Sequence, residues 1–235
     1  MIHRLSIARI FMFQPSVFLL ACAATALSGT VSTAQTVPQI ASLAAPEHGG
    51  PRRLEVIDSD VGLYREPSEN SEQLSLLAQS TLLANRGCAE VGGQVWCEVA
   101  ERDGARTGYV VSHHVVPATG PDGVVATGRD DSKVRARRRD YDASGEIACA
   151  QNEGESLGQC KAGVARSGGG DATVIATFSN SFTRELYFTH GEFTRGNSTM
   201  SGVGTDTDWR FEDGLYVIRV DDQRYEIPKA FVLGE

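Results

Sequence analysis

The chain lacks the patterns that most hydrolases and thiol enzymes carry. Its 235 residues contain no Gly-x-Ser-x-Gly elbow and no His-Glu-x-x-His pair. That leaves neither a serine nucleophile on a strand–helix turn nor a two-histidine zinc site. No long stretch repeats apolar residues at helical spacing, which excludes a fold built on long amphipathic helices. Basic residues are also in deficit: 22 Lys and Arg stand against 30 Asp and Glu, for a net charge of -8. This balance favours solubility and disfavours broad nucleic-acid binding. What the chain does have is 25 glycines, with Asn, Asp and Gly turns spaced between short apolar runs. The pattern is all-β.

The N-terminus predicts export. "MIHRLSIAR" places Arg4 and Arg9 ahead of the apolar run "IFMFQPSVFLLACAATAL", and a small-residue stretch follows. Gln14 and Pro15 interrupt the run and no stop-transfer pattern follows, so residues 1–34 read as a secretory signal peptide rather than a membrane span. Cleavage is expected after Ala34, or at an earlier Ala-x-Ala site ending at Ala26. "LLAC", residues 19–22, also resembles a bacterial lipobox, and lipidation of Cys22 would anchor the protein to a membrane. Removing the leader takes Arg4 and Arg9 and no acid, leaving 20 basic against 30 acidic residues.

Four of the five cysteines remain, and four can pair in three ways. In "GCAEVGGQVWCEVA", Gly92 and Gly93 suit a two-residue hairpin turn because both accept positive φ. With the turn there, Val91 faces Gln94, Ala89 faces Trp96, and Cys88 faces Cys97 at a non-hydrogen-bonded site within disulfide reach. Cys149 and Cys160 are close in sequence and form the second expected pair. No thiol is then left for catalysis, and two disulfides imply an oxidising compartment.

Composition divides the rest of the chain. Residues 35–53, rich in Pro, Gly and Ala, read as a flexible tether. Residues 118–144 lack strand periodicity and are too long for an ordinary loop, so they read as a linker between two β-domains at 54–117 and 145–235. The linker's "RARRRD" holds four arginines between Arg135 and Arg139, read as a solvated stretch or an anion-binding patch. "GVARSGGGDATV" has three glycines in a row but lacks the Lys-Ser/Thr of a phosphate loop, and reads as a mobile turn. His113 and His114 read as a surface pair, and Asp206/Asp208 and Asp221/Asp222 as solvated turns.

Residues 54–117 resemble the bacterial SH3-like (SH3b) domain family. "VGLYREPS" at 61–68 matches its opening motif, "GGQVWCEV" its midpoint, and "GYVVSHHVV" its close. Tyr64 stands where the family often has Arg, Glu66 where it has Gly, and Tyr109 where it has Trp. The resemblance implies a small β-barrel. The C-terminal half resembles an uncharacterised module of secreted alphaproteobacterial proteins, expected to be a second small disulfide-stapled β-domain, barrel or meander. "YVIRVDDQRYEIP" bears a faint likeness to small periplasmic lysozyme inhibitors, whose Ser-Gly-x-x-Tyr loop is not matched by "STMSGVGTDTDW".

Strand alternation predicts the binding residues. Val95, Cys97 and Val99 share one face of a strand and Trp96 the other. If the first set faces the core, Trp96 faces the wetter side, where it either floors a groove for an extended peptide or is covered by a loop or by the second domain. The resemblance to SH3-like domains implies that Tyr64 and Tyr109 stand beside it. The chain thus reads as a non-enzymatic periplasmic or secreted protein of a Gram-negative bacterium, with no cofactor and no metal. Its expected partner is peptidoglycan peptide or a periplasmic protein bound through Trp96, Tyr64 and Tyr109. The alternative is an inhibitor of lysozyme or a wall hydrolase acting through the second domain.

Overall fold

The computed structural model describes residues 42–102, 104–198 and 206–234, all within one compact unit, Ala34–Glu235. The expected signal peptide, both expected cleavage positions and Cys22 lie outside the described residues. Among the described residues, no helix is long and apolar enough to cross a membrane.

The chain is all-β, built on two antiparallel sheets. The first contains β1 (Arg53–Val56), β2 (Val61–Tyr64), β3 (Gln73–Leu77), β4 (Leu82–Val91), β5 (Gln94–Glu101), β6 (Thr107–Val111) and β7 (Val115–Pro117). Their order across the sheet is β3-β2-β6-β5-β4-β1-β7. Alternate residues point inward, as the strand period requires. Leu54, Val56, Leu63, Leu83, Cys97, Val99 and Val110 meet in a core sealed from solvent. The β4–β5 hairpin has the expected register, with Gly92 and Gly93 both at positive φ and Cys88 opposite Cys97 in a disulfide.

The second sheet contains β8 (Ala143–Ala150), β9 (Gly158–Gly168), β10 (Asp171–Thr177), β11 (Thr183–Thr189), β12 (Glu192–Gly196), β13 (Thr207–Glu212), β14 (Leu215–Val220) and β15 (Gln223–Pro228). The order is β12-β11-β10-β9-β8-β15-β14-β13, a meander whose first and last strands pair. β12 also approaches β13 and β14, so the sheet is nearly closed into a barrel. The Tyr216 hydroxyl donates to the Gly191 carbonyl at 2.7 Å across this closure. Aromatic and aliphatic side chains fill the interior, among them Phe188, Phe193, Tyr216, Tyr225 and Ile227. Cys149 and Cys160 are bonded. Both disulfides therefore form, which suits an oxidising extracytoplasmic environment.

The expected tether and linker look different in the structure. From residue 42 the N-terminal stretch lies against the first sheet. Leu43 enters its core, and the buried Asn85 amide donates to the Ala44 and Pro51 carbonyls, each at 2.8 Å. A stretch poor in periodicity is thus fastened by one long-range polar side chain, which composition does not reveal. Residues 118–144 also pack. They carry α1 (Ser132–Arg137), which lies on the outer face of β9 and β10, where the Ser132 hydroxyl meets that of Thr173 at 3.0 Å. Two of the four clustered arginines are engaged within the chain: Arg135 with Asp140 and Asp142, and Arg137 with Glu185. A short C-terminal helix, α2 (Lys229–Leu233), buries Val232 and Leu233 in the barrel core.

The three-glycine stretch is the tight turn joining β9 to β10, with Gly168, Gly169 and Gly170 all at positive φ. A Cβ on Gly169 would stand 2.5 Å from that of Ala126. The turn is therefore a contact with the 118–128 stretch. Beside it, Asp171 is buried (3% exposed) and accepts from Arg52 and Arg53, each at 2.8 Å, and from the His190 backbone N–H at 2.9 Å. Arg102 pairs with Glu192 at 2.5 Å. These bonds tie the start of β1 and the end of β5 to the β9–β10 and β11–β12 turns of the second sheet.

Candidate functional site

On β5, Val95, Cys97 and Val99 are buried on the core side, as alternation predicts. Trp96 points to the other side but is only 3% exposed, so the expected wet surface is corrected to a covered one. Two neighbours explain the cover. Ala89 and Val111 stand opposite Trp96 on the adjacent strands. The folded-back stretch at 44–48 and the loop containing Pro67 form walls around it.

The structure does bring the three predicted aromatics together. Tyr64 pairs in register with Tyr109. The Tyr64 and Trp96 rings meet edge to face, with centroids 5.8 Å apart and planes at 88°, a favoured geometry for the ring quadrupoles. The Tyr64 ring lies across Gly62, where a Cβ would come within 2.6–2.7 Å of its atoms, so any larger residue there would displace it. Tyr64 and Tyr109 are both partly exposed.

The result is an open groove of about 540 Å³ with Trp96 and Tyr109 in its lining. Ala44, Ala45, Pro67 and Val91 add apolar wall, while His48, Arg86 and Glu98 supply the charge and hydrogen bonding. Such a surface can stack on and enclose an extended, mostly apolar chain. Sequence reasoning missed the contribution of Ala44, Ala45 and His48, because their role depends on Asn85 capturing the backbone around them. The bulge in β4 between Asn85 and Gly87, which interrupts the register beside the groove, was equally hidden.

Elsewhere, the His113 and His114 rings lie tilted at 49° with centroids 4.0 Å apart, and His114 Nδ1 meets Asp58 at 2.7 Å. Among the described residues, no three His, Cys, Asp or Glu side chains gather as a metal site would need. No protein-family model, curated protein or solved structure matches the chain significantly.

Proposed function

We infer that this is a non-enzymatic, periplasmic or secreted binding protein that holds an extended peptide, either the peptide of peptidoglycan or a segment of a periplasmic protein, in the groove beside Trp96. The observation that carries this reading is the convergence of Tyr64, Trp96 and Tyr109 on one sheet face, at a groove with apolar walls. The likeness of residues 54–117 to SH3-like domains agrees with it, since aromatic grooves on small barrels take extended chains. Trp96 acts as the buried support and Tyr109 as the contact surface. Co-sedimentation with purified peptidoglycan tests the reading directly. Retention of the wild-type protein and its loss in Tyr109→Ala are expected.

A second reading, inhibition of lysozyme or a wall hydrolase through the C-terminal half, draws on the nearly closed eight-stranded sheet with its disulfide. A lysozyme turnover assay separates the two. Unimpaired turnover at saturating protein eliminates the inhibitor reading.

A further inference from the structure

The outer face of β13–β15 carries a charge pattern that the pairs within the fold only partly balance. Cross-strand register sets Asp208, Arg219 and Arg224 in one row, and Arg210, Val217 and Glu226 in the next row on the same face. Arg219 and Arg224 are thus directly opposite, an unfavourable like-charge pairing. Arg219 is compensated by Asp206 at 2.9 Å, and Arg210 by Glu212 at 2.9 Å. Arg224 forms no direct salt bridge among the described residues; the Glu155 carboxylate attracts it at longer range, and its Nε is buried without a hydrogen-bond partner. Its Nη2 donates to the Glu155 carbonyl. Glu226, two residues along the same face, forms no direct salt bridge among the described residues and is attracted to Arg210 of its own row at longer range.

These side chains line a cleft of about 270 Å³, to which Leu157 contributes from the β8–β9 loop. That loop is held in place three ways. Cys149–Cys160 closes its base. The Glu155 carboxylate accepts from the Gln151 and Asn152 backbone N–H groups at 3.0 and 2.9 Å, bonds that hold it below the usual carboxylate range. Arg224 grips the Glu155 carbonyl. The wall is therefore positioned before any ligand arrives.

We propose that this cleft binds a small zwitterion of dipeptide length. Its carboxylate would meet Arg224, its ammonium would meet Glu226, and its side chains would lie along Val217 and Leu157. Size and spacing both favour this class. The cleft lies just below the range of about 300–1,000 Å³ typical of drug-sized ligands. Residues two apart on a strand are separated by about 6.6 Å, and an extended dipeptide spans at most about 7 Å. A simple anion would satisfy Arg224 and leave Glu226 facing it, whereas a zwitterion answers both charges. The site lies on β13–β15, and its occupancy is independent of the groove beside Trp96.

Calorimetric titration of the full exported chain with alanyl-alanine tests this. Saturable one-to-one binding is expected, weakened about tenfold or more in Arg224→Gln and in Glu226→Gln, with a wild-type melting temperature in Glu226→Gln. N-acetyl-alanyl-alanine and alanyl-alanine amide should each bind about tenfold more weakly than the free dipeptide. Tyr109→Ala should bind it normally. The proposal is overturned if alanyl-alanine does not saturate the protein in the millimolar range, or if Arg224→Gln binds it as the wild type does. Equal binding of the acetylated peptide would reduce the cleft to an anion site and overturn the zwitterion assignment.

Discussion

Tyr64 stands edge-on to Trp96, with ring centroids 5.8 Å apart, and only Tyr64 of the pair reaches solvent appreciably. The groove's aromatics therefore divide by burial. Trp96 supports the surface from beneath, Tyr109 presents it, and Tyr64 braces the Trp96 ring from the side.

Trp96→Ala is accordingly expected to cost stability. Removing a large buried aromatic typically costs about 3–5 kcal/mol, and the lost edge-to-face contact with Tyr64 is part of it. A urea titration should show a clearly lower midpoint for Trp96→Ala. A midpoint equal to the wild type would mean that the ring is not packed as described.

Asp171 couples the two sheets by accepting from Arg52, Arg53 and the His190 backbone. Asp171→Asn keeps the shape and removes the charge, which leaves two largely buried guanidinium groups without a counter-ion. Breaking a buried pair from one side typically costs about 3–5 kcal/mol. Calorimetry should show a lower melting temperature, and separate transitions if the sheets uncouple. An unchanged single transition would show that Asp171 does not join them.

His190 gives the joint a pH dependence. Burial lowers its pKa below the ordinary 6.5, with Arg53 and Arg102 adding to the effect against the opposing pull of Asp171 and Glu192. The unfolded chain therefore binds this proton more readily than the folded one. The contribution is fully present above pH 6.5 and is lost as pH falls from there toward the lower folded-state value. Unfolding free energy should thus decline over that window in the wild type and decline less in His190→Gln. Parallel profiles for the two would remove His190 from the account.

Short-range geometry was legible in the sequence. Gly92-Gly93 set the β4–β5 register by counting, and that register placed Cys88 opposite Cys97 and turned Trp96 away from Val95 and Val99. The all-β class followed from short runs and turn residues. What could not be read was long-range. Alternation tells which side of a strand Trp96 takes, but not that residues 44–48 return to cover that side. Nor does composition show that residues 118–144 pack a helix on β9 and β10, because α1 covers its sheet with the small residues Ser132 and Ala136 rather than an apolar stripe. The row of Asp208, Arg219 and Arg224 is equally invisible, since it exists only once three strands are in register.

The central claim is that the groove beside Trp96 holds an extended peptide, with Tyr109 as its exposed contact. The most direct measurement is co-sedimentation of the wild type and Tyr109→Ala with purified peptidoglycan, alongside their melting temperatures. The account predicts that the wild type is retained, that Tyr109→Ala is retained about tenfold less, and that the two melt together. Equal retention of both proteins, or no retention of the wild type, would contradict it.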